Sequence, residues 1–173
     1  MHSLKTFLIT LVAQSSQMFA IQPNMIGIPA KLTIESTRQS FKHGEAIPIS
    51  ICLRNTADSP LLFNARMLVN SPYAPKNCRE ITIFISDQDG RALPFESKIR
   101  AGSPSQNDFK TLPSGSTYSV QYSITRDFNL KGVTSITLHA IYQDGSNSGP
   151  TLPSHPLSVI GPIESNSLTL SIN

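Results

Sequence analysis

Chemistry in this chain would have to start from its histidines, cysteines, serines and carboxylates. The four histidines are His2, His43, His139 and His155. They lie far apart, share no ligand spacing, and form no His-Glu-x-x-His, so no zinc site is expected. His139 alternates with the apolar residues around it, which places it on the outer face of a strand. Gly145-Ser146-Asn147-Ser148-Gly149 has the outline of a nucleophile elbow, but its centre is Asn147 where serine is required. Asp87, Asp89 and Gly90 match a fragment of a calcium loop. The glycine comes too early and no later glutamate completes the site, so a solvated turn accounts for the same residues. No paired carboxylates suggest acid–base work, and no helix follows a glycine-rich stretch to hold phosphate. The expectation is therefore a non-enzyme with no catalytic residue, no metal ligand and no cofactor.

The two cysteines, Cys52 and Cys78, pose a separate question. An even count in an exported chain invites a disulfide, worth roughly 3.5 kcal/mol on the chain-entropy model. Against the bond, Cys52 is out of phase with Ile49, Ile51 and Leu53 and faces away from their strip. If the two strands belong to different sheets, the thiols are too far apart to join. Both outcomes stay open at this point.

The elements that would position these groups are strands. The stretch Phe41 to Phe63 organises the chain: Gly44 punctuates its start, and Ile47, Ile49, Ile51 and Leu53 fall at period two. Asn55 to Pro60 then supplies turn-forming side chains. The same alternation recurs at Leu32 and Ile34, at Ile81, Ile83 and Ile85, and at Tyr118, Val120, Tyr122 and Ile124. It returns at Ile136, Leu138, Ala140 and Tyr142, and again at Leu168, Leu170 and Ile172. Leu61 to Val69 reads as a further strand. Asp87 to Gly90 reads as the turn of a hairpin whose second arm is Arg91 to Phe95. Residues 70–77 and 101–115 read as loops, and 143–165 as a long irregular segment with four prolines. No amphipathic helix or internal repeat is present. Seven or eight strands, each greasy on one face, predict an all-β, antiparallel two-sheet sandwich of immunoglobulin-like type.

The chain has 173 residues and a formal net charge of +3. Its first twenty residues read as a secretory signal: Lys5, a short apolar core from Thr6 to Ala13, and a more polar end. Residues 21–30 then form an extended lead-in and 31–173 one sandwich domain. The expected location is secreted or periplasmic. The apolar core is too short to span a bilayer, so no membrane span is expected. Lysine and arginine are scattered, with no basic run, which argues against a nucleic-acid partner.

GEAIPISICLRNTADSPLLF, EITIFISDQDGRALPF, LPSGSTYSVQYSITRDFNLKG and the closing GPIESNSLTLSI together resemble a recurrent secreted β-sandwich pattern. The pattern is similar to the bacterial intracellular proteinase inhibitor family. It is also similar to the β-sandwich pro-region that precedes the catalytic domain of deuterolysin-type metallopeptidases. The resemblance covers about Leu32 to Ile172 and implies the fold more than an activity. The metallopeptidase half is missing, so peptidase activity is not implied. Where the pattern carries Gly-x-Tyr, this chain has Gly132-Val133-Thr134.

Two readings stand for the end of the sandwich where segments 56–78 and 143–165 emerge together: a partner-binding end, or a core strand at 61–69 with 143–165 as a Pro-stiffened cover over an open sheet edge. Arg66, Met67, Tyr73 and Lys76 in the first, with His155, Leu157 and Ile160 in the second, are the candidate partner contacts. The leading expectation is an exported, non-catalytic module that binds an unknown protein or acts structurally. The alternative is a proteinase inhibitor presenting the Pro-flanked segment 71–77 to a protease.

Overall fold

Alternating apolar residues make strands here because each strand can bury one face only against a second layer. A computed structural model describes residues 30–75, 78–99, 102, 104–143 and 162–173. The signal expected at 1–20 and nearly all of the lead-in fall outside these residues.

Eleven strands are described. One sheet joins β1 (Ala30–Glu35), β3 (Pro48–Asn55) and β8 (Thr117–Ser123) in the order β1-β3-β8, all antiparallel. The other is centred on β9 (Ser135–Tyr142), flanked by β6 (Ile81–Asp87) and β11 (Leu168–Ile172). Its margins are two-residue strands: β2 (Ser40–Phe41) beside β11, β5 (Val69–Asn70) beside β6, and β10 (Ile163–Glu164) beside β9. A small third sheet pairs β4 (Leu61–Asn64) with β7 (Phe109–Leu112).

The inner faces carry the residues that the alternation selects. Ile49, Ile51 and Leu53 meet Ile81, Ile83, Ile85, Ile136, Leu138 and Tyr142 in one buried cluster. Full burial of each such side chain stabilises by roughly 1.5–3 kcal/mol, which is why these two sheets face each other. The all-β, two-sheet sandwich is therefore the fold of the described residues.

Four local details differ from the sequence expectation. Leu61–Val69 is not one strand: it breaks between β4 and β5, where Met67 has a φ of +41°. Asn64 Oδ1 accepts the Arg66 N–H at 3.1 Å, and Ala65 N donates to Asp108 O at 2.7 Å, so the chain turns out of the sheet. The stretch 101–115 contains β7, whose alternation is too short to read. The second arm of the Asp87–Gly90 hairpin pairs at one point only, Ser86 with Ala92, because Pro94 has no N–H to continue the ladder. Finally, β2 with β11 and β5 with β6 are parallel, so the pairing is mixed at the margins.

Candidate functional site

The segment between β5 and β6 is built by its polar side chains. Ser71 O accepts the Ala74 N–H at 3.0 Å, which closes a four-residue turn with Tyr73 near its tip. Ser71 Oγ accepts the Tyr73 N–H at 3.2 Å, and Asn70 Oδ1 accepts the Ser71 N–H at 3.1 Å. Asn70 Nδ2 donates to Cys78 O at 2.9 Å, and Arg79 Nη1 donates to Pro72 O at 2.8 Å, tying both ends of the loop to β6. The braced turn holds Tyr73 at 90% exposure. Beside it runs an apolar groove of about 440 Å³ lined by Pro72, Phe84, Leu93, Pro94, Phe95 and Phe128. Phe84 is partly exposed and stacks on His139 across β6 and β9, with ring centroids 5.0 Å apart. His139 thus lies on the outer face, as its alternation predicts.

The other candidate contacts separate. Met67 is only 2% exposed and belongs to the core. Arg66 is ion-paired with Glu80, and its Nη2 also donates to Gly102 O at 3.0 Å. Both residues serve the fold where they stand, so an anchor role at the surface is corrected for Met67 and reduced for Arg66. Lys76, His155, Leu157 and Ile160 lie outside the described residues.

Sequence reasoning missed the group that Arg66 joins. Glu80 is fully buried just before β6, and its carboxylate also accepts from Asn64 Nδ2 at 3.4 Å. Asn64 N in turn donates to the Tyr142 hydroxyl at 2.9 Å. Burial pushes the Glu80 carboxyl above its ordinary range, with Arg66 and Asn64 opposing that rise. Glu80 stands in no motif, and only its place between a loop and an isoleucine run hints at burial.

A second missed feature lies at the opposite end of the sandwich. A cleft of about 750 Å³ is walled by the 42–45 turn, residues 96–97 and the 125–132 segment, with Ile47, Phe128 and Ile172 among its apolar lining. Two of its carboxylates already have partners. Asp127 accepts from the Tyr122 hydroxyl at 2.7 Å. Glu45 pairs with Arg38 and accepts the Lys42 N–H at 2.9 Å, and these bonds hold its carboxyl below the usual range.

The disulfide left open by the sequence does not form. Cys52 sits on the outer face of β3, where Ser119 Oγ donates to its Sγ at 3.2 Å, whereas Cys78 is buried in the segment that leads into β6, and both are free thiols. The Asp87–Gly90 segment is a turn whose Asp87 Oδ1 accepts the N–H of both Asp89 and Arg91 at 2.9 Å. Gly90 adopts a φ of +78° there, which a turn of this kind requires of glycine. Among the described residues no cluster of three His, Cys, Asp or Glu side chains could hold a metal, and no helix is long and apolar enough to cross a membrane.

No protein-family model and no curated protein matches the chain. Among solved structures, a β-glucosidase, EmGH1 from Erythrobacter marinus, superposes on 83% of this chain at 15% identity and a TM-score of 0.39, and the chain spans 15% of that protein. AvmM, which catalyses macrocyclization in alchivemycin A biosynthesis, superposes on 84% of this chain and 88% of its own length, at 14% identity and a TM-score of 0.31. These likenesses are too weak to carry either protein's activity across.

Proposed function

We propose that this chain is an exported, non-catalytic module of immunoglobulin-like type that binds another protein through the braced turn at Tyr73. The single observation that carries the reading is a nearly fully exposed tyrosine, pre-ordered by backbone and side-chain hydrogen bonds and set beside an apolar groove. Tyrosine presents a large, rigid, amphipathic surface at low entropic cost, and a turn ordered in advance does not lose that freedom again on binding. The non-catalytic part of the reading is supported by the carboxylates. Glu45, Glu80, Asp87, Asp108 and Asp127 each accept structural hydrogen bonds, which leaves them poorly placed to move protons for a substrate.

The second reading, a proteinase inhibitor, draws on the resemblance and on the two prolines, Pro72 and Pro75, that flank the tip. A protease cleft takes an extended loop, and the tight Ser71–Ala74 turn favours the general binding reading over this one. Tyr73→Ala tests the proposal: captured from the extracellular milieu by cross-linking, partners should be retained by the parent protein and lost from a variant of unchanged melting temperature. Equal capture by both overturns it. Stoichiometric inhibition in a protease panel, abolished by replacing 71–77, would establish the inhibitor reading instead.

A further inference from the structure

Among the described residues, the margins of both sheets are short or partly covered except at one strand. The outer side of β1 is occupied by Asn166, whose Oδ1 accepts the Ile34 N–H at 2.9 Å and whose Nδ2 donates to Ile34 O at 3.1 Å. β2 and β5 are two residues long, and β5 runs into Pro72 after Ser71. Such short or blocked margins are how sheets avoid adventitious pairing. β8 differs: it is seven residues long, reads TYSVQYS without charge or proline, and no strand among the described residues pairs with its outer side.

Its register fixes which groups are open. Asn55 N donates to Ser116 O at 2.9 Å and Ile124 N to Ile47 O at 3.0 Å. In an antiparallel ladder the bonded pairs alternate, so Tyr118, Val120 and Tyr122 bond to β3. Thr117, Ser119 and Gln121, all exposed, direct their N–H and C=O outward. Inside this edge lies a groove of about 380 Å³, formed with the chain that runs from β4 into β5 and lined by Arg66, Met67, Val69, Val120, Tyr122 and Arg126. Its described lining contains two arginines, of which Arg66 is already paired with Glu80, and no carboxylate. Arg126 is exposed and makes no ion pair with the described residues.

We propose that the outer edge of β8 binds an extended acidic segment of another protein by strand addition. Its backbone continues the β1-β3-β8 sheet. One set of alternate side chains drops onto the apolar floor, and a carboxylate reaches Arg126. A second copy of this chain fits less well, because β8 itself carries no carboxylate to offer Arg126. This surface is distinct from the Tyr73 turn, and the inference stands or falls separately from that reading.

The test uses a blocked octapeptide of alternating valine and threonine in which one groove-facing valine is replaced by glutamate, with its lysine counterpart, followed by amide hydrogen exchange on the whole chain. The glutamate peptide should slow exchange at Thr117, Ser119 and Gln121 and leave Tyr118, Val120 and Tyr122 unchanged. N-methylation of every second peptide residue should abolish the effect without altering the protein. Gln121→Pro, at an outward N–H, should abolish it too, and Arg126→Ala should weaken binding by roughly two- to fivefold, the worth of an exposed ion pair. No protection by the glutamate peptide, equal protection by the lysine peptide, or protection that grows with protein concentration alone would each overturn the proposal.

Discussion

Glu80 is the side chain whose proton the fold should feel most. Burial raises its folded-state pKa above the ordinary 4.5, so the native state holds the proton longer than the unfolded chain does. Its contribution to stability is then fully present below the unfolded value and is lost as pH rises through the folded one. Urea midpoints should accordingly fall as pH is raised from about 4.5, and Glu80→Gln should remove that part of the slope. A slope unchanged by Glu80→Gln would show that the carboxyl is not desolvated as described. Glu80→Ala should cost roughly 3 kcal/mol at neutral pH, because it leaves the largely buried Arg66 guanidinium without its carboxylate. None of this was legible in the sequence. A lone glutamate before an isoleucine run looks like a solvated strand start, and only the return of Asn64 and Arg66 over β6 encloses it.

At the scale of elements, period-two spacing was enough to find the long strands. Ile49, Ile51 and Leu53, or Ile136, Leu138 and Ala140, can share a face only in extended chain, and that face has to be covered. The short strands escaped because two or four residues carry no period. β2, β5 and β10 exist only where a neighbour happens to pass. Margins are likewise decided by distant residues. Asn166, 132 positions from Ile34 in the chain, bonds both backbone groups of that residue at the β1 edge. Asn166→Ala should destabilise the protein by about 1–2 kcal/mol, two partly buried hydrogen bonds' worth, and should speed exchange of the Ile34 amide in particular. Unchanged exchange at Ile34 would mean that water serves the β1 edge equally well.

For the whole molecule, the partition of strands between sheets governs what the cysteines can do. Cys52 and Cys78 would be a reasonable pair in a flat listing of residues, yet Cys52 faces outward from β3 while Cys78 is buried in the chain leading into β6 of the other sheet, and both are free. Reductant should therefore leave the melting temperature unchanged. Intact-mass labelling without denaturant should modify Cys52 faster than the buried Cys78. A drop in melting temperature with reductant would contradict this arrangement. A cleft of about 750 Å³ among the described residues lies at the end opposite the one that loop lengths favoured.

The order of amino acids by itself determined that this is a sandwich of half-buried strands, because alternation dictates one apolar face per strand and such faces must meet. It also determined the Asp87–Gly90 turn and the outward placement of His139, which follow from local geometry. Tertiary structure alone decided that Met67 is core, that Arg66 serves Glu80, that Tyr73 stands exposed on a braced turn, and that β8 keeps an open edge. Each depends on which distant segment lies alongside, and the spacing of residues along one strand carries no record of its neighbours.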